Sequence, residues 1–146
     1  MSGTAPDPGF DNPADDEIRA LLAGLRRVAV VGISDREDRA SHGIAKFLIG
    51  LGVDVVGVNP LLNEVLGRPV YATLAAVPGR LDLVDVFRRS DAVPAIVEEA
   101  IACGAKALWL QEDVVHPAAA ARARAAGLRV VMDRCLYKEW LRLMNA

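Results

Sequence analysis

Cysteine, aromatic side chains and an excess of either charge are all scarce in this chain of 146 residues. Its two cysteines, Cys103 and Cys135, form no C-x-x-C pair and no Cys/His cluster, which argues against a disulfide framework or a metal site and favours reduced thiols in a cytoplasm. The net charge of −2 lacks the basic excess of a nucleic-acid-binding protein. No apolar run reaches the roughly 20 residues that span a bilayer, and we expect no secretory signal.

Hydrophobic residues make up 53% of the chain and fall into short runs separated by helix-type stripes. Strands buried on both faces are predicted at 28–33, 53–58, 81–87, 105–110 and 128–132, with a weaker edge strand at Val70–Tyr71. Strands that alternate with helices predict an α/β fold: a doubly wound, mostly parallel, Rossmann-like sheet with 28–33 as its central strand. We expect residues 1–12 to be a disordered lead and residues 13–146 to form a single domain.

Local signals predict where several helices begin. Asp15 or Asp16 is expected to cap a first helix that starts near Pro13, and Leu136–Met144 is expected to form the last helix. His116 precedes Pro117 and is most simply a residue that starts the helix after it.

The loop between Gly32 and Ser41 follows the central predicted strand and leads into an amphipathic helix. A strand, a polar loop and a helix form the unit that holds phosphorylated nucleotides in doubly wound folds. Only one of the three glycines of a dinucleotide fingerprint is present, because Ser34 and Glu37 occupy the other two positions. Residues 55–60, in and after the second strand, also contain no acid that could bind ribose hydroxyls. The segment therefore predicts a nucleotide site and argues against NAD.

Ligands of open α/β sheets bind beyond the carboxyl ends of the strands, where the strand order reverses. With 28–33 central, this crevice is expected between the ends of 28–33 and 81–87. Close backbone approach at a glycine, hydroxyl donors, helix-start N–H groups and arginines all suit phosphate. The candidate cofactor-binding residues are Gly32, Ile33, Ser34, Arg36, Arg39, Ser41, Val58, Asn59, Pro60, Phe87, Arg88 and Gln111.

The segment 35–39 carries three acids against two bases. We therefore expect phosphate binding to depend on backbone and hydroxyl donors, with specific arginines facing inward; a solvated charged loop is the alternative. In the second strand, Gly57 and Val58 are expected to leave room for a flat base.

Arranged in order, these residues resemble the small CoA-binding domain proteins of bacteria, which are similar to the N-terminal CoA-binding domain of the succinyl-CoA synthetase alpha subunit. The matching segments are 30–34, 58–60, 64–71, 85–89, 108–111 and 131–135. The resemblance implies a Rossmann-like domain that holds coenzyme A. It places the phosphates on the loop 32–41, the adenosine end near Val58, Asn59 and Pro60, and the pantetheine arm near Phe87 and Arg88.

No catalytic constellation or metal site is predicted. His42 and His116 are the only histidines and lack an H-E-x-x-H pattern, and Asp35 after Ser34 breaks a G-x-S-x-G nucleophile motif. His42 either starts a helix or contacts a phosphate. Cys135 is either a small buried hydrophobe or a redox-responsive thiol near the CoA sulfur.

The leading hypothesis is a cytoplasmic protein that binds coenzyme A or an acyl-CoA and is non-catalytic by itself. The alternatives are an NAD(P)-binding oxidoreductase, a CoA-ligase subunit that needs a partner chain, and a degenerate scaffold that binds only protein. The expected ligand is a small molecule, and the identity of any protein partner stays open.

Overall fold

The computed structural model describes residues 9–144, in which helices and strands alternate as the sequence predicts. The strands are β1 (Arg27–Val31), β2 (Asp54–Val58), β3 (Glu64–Val65), β4 (Arg68–Tyr71), β5 (Leu83–Val86), β6 (Ala107–Leu110) and β7 (Arg129–Val131). The helices are α1 (Asp15–Ala23), α2 (Ala40–Gly50), α3 (Val93–Ala102), α4 (Pro117–Ala125) and α5 (Leu136–Met144). In this part of the chain, no helix is long and apolar enough to cross a membrane.

The strands form one sheet in the order β3-β4-β2-β1-β5-β6-β7. All neighbours are parallel except β3 and β4, which pair antiparallel. Strand β1 is central. The next strand in the chain, β2, lies on one side of it, and β5 lies on the other. The doubly wound, mostly parallel α/β fold is therefore confirmed, with its switch point between β1 and β5.

Side chains of β1 alternate between two apolar layers. Val28 and Val30 join α1, α2 and α5 on one face of the sheet, whereas Ala29 and Val31 join α3 and α4 on the other. Because both faces are covered, the whole strand reads as a continuous apolar run rather than as an alternating one. This packing fixes the end of β1 in the centre of the carboxyl edge.

The start of α1 differs from the prediction. Ala14 is the N-cap residue, and the side chains of Asp15 and Asp16 lie in the first turn instead. Carboxylates in a first turn interact favourably with the positive end of the helix dipole. In the sequence they therefore resemble capping residues, although neither side chain caps the helix. Asp15 is turned towards α5 because it accepts hydrogen bonds from Arg142. Strand β3 was not predicted, since two residues are too short for a period-two pattern.

Residues before Pro13 are only partly described. Positions 1–8 of the predicted disordered lead lie outside the described residues. Beyond them, Asn12 donates from Nδ2 to the Met132 carbonyl at 2.9 Å and accepts from the Met132 amide at 2.7 Å. The guanidinium of Arg124 lies 4.7 Å from the centre of the Phe10 ring. Phe10 and Asn12 thus contact the domain that was predicted to begin at Pro13.

His116 caps α4, because its Nδ1 accepts a hydrogen bond from the Ala119 amide at 3.1 Å. His116→Ala should lower the free energy of unfolding by about 1 kcal/mol, the usual cost of losing an N-cap acceptor. His116→Asn keeps an acceptor and should lose much less. Urea unfolding of both variants measures the difference, and equal losses would contradict the capping role.

Candidate functional site

The first wall of the site is formed where β1 ends. Gly32 follows β1 with φ +86°, and its amide donates to the Val58 carbonyl at 2.8 Å. A Cβ at this position would lie 2.3 Å from the Phe87 carbonyl oxygen and 3.1 Å from Cδ of Arg88. Only glycine fits this conformation and this space, so the backbone passes directly against the end of β5.

Hydrogen bonds between side chains and backbone hold the loop after Gly32. Oγ of Ser41 accepts from the Ser34 amide at 3.1 Å, and Oγ of Ser34 accepts from the Arg36 amide at 3.1 Å. From the end of β2, Nδ2 of Asn59 donates to the Ile33 carbonyl at 2.9 Å. The loop is therefore tied both to the start of α2 and to the neighbouring strand.

Helix α2 begins in this loop, with Arg39 as its N-cap residue and no side-chain cap. The N–H groups of a first helical turn have no acceptor within the helix and carry its positive end. Ala40 and Ser41 of this turn line a cleft of about 360 Å³. The other residues that line the cleft are Gly32, Ile33, Ser34, Arg36, Arg39, Asn59 and Phe87.

The charges of the loop are divided between the cleft and the solvent. Arg36 and Arg39 line the cleft, whereas the acids at 35, 37 and 38 are exposed and do not. Arg36 lies 3.4 Å from Asp38, and both side chains are well exposed, so this pair restrains the arginine weakly. The cleft is thus lined by positive charge although the segment 35–39 is formally negative, which suits an anionic ligand.

Eight of the twelve predicted residues line this cleft, together with Ala40, which was not predicted. Three of the others lie nearby: Val58 is buried in the apolar layer under α3 and α4, while Pro60 and Arg88 are exposed. The side chain of Gln111 lines a second cavity, described below.

The sequence from residue 26 to residue 140 matches the CoA binding domain family. The chain belongs to the CoA-binding domain family. It is 38% identical over 127 residues to YneT, an uncharacterized protein of Bacillus subtilis, across 87% of this chain and 94% of YneT. It is 37% identical over 79 residues to acetate–CoA ligase [ADP-forming] I of Archaeoglobus fulgidus, across 54% of this chain and 11% of the ligase.

Among solved structures, the CoA-binding domain is similar to a hypothetical protein from Pyrococcus horikoshii OT3. The two share 35% sequence identity and superpose with a TM-score of 0.86. The superposition covers 99% of this chain and 100% of the archaeal one. The Rossmann-like architecture is therefore that of a known structure along nearly the whole chain.

One sequence expectation about this CoA-binding domain is wrong. Gly57 was expected, with Val58, to leave room for a flat base. A Cβ on Gly57 would lie 2.7 Å from Cγ2 of Ile33 and 2.9 Å from Cγ2 of Val70. The space beside Gly57 is filled by these two side chains, so the glycine serves packing between β1 and β4 and leaves no room there for a ligand.

A second cavity, of about 420 Å³, adjoins the cleft. We call it the α2 pocket. Ala40 and Phe87 line both spaces, so the two lie side by side. The α2 pocket is also lined by Gly43, Ile44, Phe47, Gln111, Glu112, Cys135 and Tyr137. Apart from Gln111, and Cys135 in one of its two alternatives, sequence reasoning did not assign these residues to a ligand site; the available signal was a glycine within the apolar stripe of α2.

Gln111 is held by a buried carboxyl group. Nε2 of Gln111 donates to Oδ1 of Asp85 at 2.7 Å, and Oδ2 of Asp85 is buried without a hydrogen-bond partner. Asp85 is fully buried in β5, in register with Val30 and Trp109. Burial raises the pKa of Asp85 to about 7, although the hydrogen bond from Gln111 opposes this.

The two residues whose roles were left open lie in different surroundings. His42 is buried in the first turn of α2 and does not line the cleft. Cys135 is half-buried, lines the α2 pocket and accepts a hydrogen bond at its carbonyl from the Glu139 amide in α5. Within residues 9–144, no three His, Cys, Asp or Glu side chains are grouped so that they could hold a metal ion.

Proposed function

We propose that the protein binds coenzyme A, free or as a thioester, in the cleft between β1, α2 and β5, and that it is non-catalytic by itself. The observation that carries the proposal is a positively lined cleft at the switch point of a CoA-binding family domain. Its two free cysteines suit a reducing, cytoplasmic setting.

The phosphates of the cofactor lie on the loop 32–41. Backbone N–H groups at the start of α2 supply donors and the positive end of the helix. Arg36 and Arg39 supply charge, and both are exposed and able to turn towards a phosphate oxygen. Because the cleft is open at this side, the two arginines need not lose their hydration to reach a phosphate.

The two organic ends of the cofactor leave the loop in opposite directions. The adenosine end lies near Asn59 and Pro60, at the end of β2, but not against Gly57, where side chains fill the space. The pantetheine arm passes Phe87, beside the exposed Arg88, and runs towards the α2 pocket. NAD fits less well, because the loop has one fingerprint glycine and β2 has no acid at its end.

A second candidate is a role as the CoA-binding part of a ligase that needs a partner chain. Similarity to a segment that spans 11% of an acetate–CoA ligase favours it. The test is co-purification under native conditions. A stably bound partner that confers CoA-dependent ligase activity would support this candidate, and a chain that purifies alone and binds CoA would support the first proposal.

Arg39→Ala should weaken binding of coenzyme A by about 1–3 kcal/mol, the value of a charge-assisted hydrogen bond to phosphate. The matched control is Arg89→Ala, because Arg89 is exposed at the same edge of the sheet, pairs with Asp91 and lines neither cavity. Calorimetric titration with CoA, NADP and ATP measures both effects. Binding of NADP without binding of CoA would overturn the proposed function.

A further inference from the structure

The interior of α2 contains a glycine that packing does not explain. Glycine is the poorest helix former apart from proline, so its presence inside a helix lowers the stability of that helix. A Cβ on Gly43 would meet no atom within 4 Å, and its φ is not in the left-handed region. No neighbouring segment approaches closely there. What the missing side chain leaves free is the space of the α2 pocket.

The walls of this pocket suit hydrocarbon. Ala40, Gly43, Ile44 and Phe47 follow one another at helical spacing, so they present one face of α2. Tyr137 of α5 also lines the pocket, and its ring packs edge-on against Phe47 with ring centres 4.9 Å apart. Such a lining accepts an apolar chain and offers little to a sugar or a phosphate.

The lining includes two polar side chains: Glu112, which is exposed and pairs with Lys138, and Gln111, which is buried. Gln111 is 5% exposed and its carboxamide is anchored by Asp85, which uses one of its two N–H donors. The second N–H donor and the carbonyl oxygen remain for a ligand. A free thiol makes poor use of an amide, whereas a thioester carbonyl accepts an N–H hydrogen bond.

From these observations we propose that the α2 pocket binds the acyl chain of a short-chain acyl-CoA, with Gly43 providing the room and Gln111 contacting the thioester carbonyl. The inference rests on the proposed function, because the pantetheine arm must enter past Phe87 from the phosphate cleft. The protein is then a binder of acyl thioesters in preference to the free cofactor.

Calorimetric titration with CoA, acetyl-CoA and butyryl-CoA tests the proposal. Each buried CH₂ group strengthens binding about fourfold, so butyryl-CoA should bind at least about tenfold more tightly than CoA. In Gly43→Leu the new side chain occupies the pocket, and this ratio should fall to about one. Gly43→Ala should reduce it only partly. Both changes improve helix propensity, so thermal melting should show folded variants.

Gly50→Leu is the matched control. Gly50 lies in the same helix, also has open space at its Cβ position, and does not line the pocket. It should keep the full ratio. Equal affinities for CoA and butyryl-CoA in the unaltered protein would overturn the inference while leaving the proposed function in place. An equal loss of both ligands in Gly43→Leu would assign the pocket to pantetheine and overturn it as well. Absence of CoA binding altogether would instead contradict the proposed function.

Discussion

Gly32→Ala is expected to lower the free energy of unfolding by about 2–5 kcal/mol and to weaken binding of coenzyme A. A left-handed conformation costs alanine about 1–2 kcal/mol, and overpacking adds a further 1–3 kcal/mol. Both apply, since Gly32 has φ +86° and its Cβ would lie 2.3 Å from the Phe87 carbonyl oxygen. Relief requires the end of β5 to move, which displaces Phe87 from the wall of the cleft.

Gly52→Ala separates the two costs. Gly52 also has φ +86°, but nothing lies within 4 Å of its Cβ position. This variant should lose about 1–2 kcal/mol and keep its affinity for CoA. Urea unfolding and calorimetric titration of the pair supply the comparison. If Gly32→Ala and Gly52→Ala lose the same stability, the contact with β5 is not what demands glycine at the end of β1.

The free energy of unfolding is expected to fall between pH 5 and pH 8, and Asp85→Asn is expected to remove most of that fall. The native pKa of Asp85 is about 7 because the group is buried, whereas an unfolded Asp titrates near pH 4. Between these values the folded protein holds a proton that the unfolded chain has released. The free energy of unfolding therefore falls as pH rises through this window, and it levels above pH 7.

The size of the effect follows from the two pKa values. At about 1.4 kcal/mol per pKa unit, the wild-type protein should lose roughly 2–3 kcal/mol between pH 5 and pH 8. An asparagine at 85 keeps the oxygen that accepts from Gln111 and carries no charge at either pH. Relative to the wild type, the free energy of unfolding of the variant should increase as pH rises. Its buried N–H groups lower its stability at pH 5 and at pH 8 alike.

Asp82→Asn provides a control of opposite sign. Burial acts to raise the pKa of Asp82, but hydrogen bonds from the Arg27 and Arg26 amides outweigh it, so the pKa is lowered. The stability that Asp82 contributes is complete above its unfolded pKa and is lost only as pH falls below it. This variant should therefore keep the wild-type slope between pH 5 and pH 8. Parallel pH profiles of the free energy of unfolding for Asp85→Asn and the wild type would contradict the prediction. They would mean that ionisation of Asp85 does not destabilise the folded protein.

The sheet could be predicted from the sequence because its central strands are buried on both faces and end at turn residues. The run from Val28 to Ile33 covers β1 except for Arg27, and the amphipathic helix expected after the loop is α2. The chain order of strands and helices then left few topologies. Strand β3 was missed because antiparallel pairing with β4, and not its own pattern, makes Glu64 and Val65 a strand.

The candidate site was predictable where the backbone decides it and less so where side-chain packing does. Gly32, Ser34 and Ser41 follow from the end of a strand and the start of a helix. Inward-facing arginines were expected for 35–39, and Arg36 and Arg39 line the cleft. The hydrogen bonds that hold the loop through Ser34 and Ser41 could not be predicted from composition. Gly57 was misjudged because its neighbours Ile33 and Val70 come from distant parts of the sequence, the loop after β1 and strand β4.

Asp85 was not singled out from the sequence, although a carboxyl group within an apolar strand is a signal in itself. Its neighbours in register, Val30 and Trp109, become known only with the order of β1, β5 and β6. The position of Gln111 likewise becomes known only with the strand order. It was predicted to belong to the switch-point site, and it lines the adjoining pocket instead.

The central place of β1 has a consequence for the order in which the protein assembles. Arg27 pairs with Asp54 after a short crossover, whereas Val28 pairs with Leu83 only after a much longer stretch of chain. Closing the shorter loop costs less entropy, so a nascent chain can complete β1, α2 and β2 while β5 is still being synthesised. Such an intermediate carries the loop 32–41 before Phe87 is in place opposite it. Under the proposed function, the complete cleft forms only once β5 has joined the sheet, so binding of the cofactor stabilises the finished fold more than this intermediate.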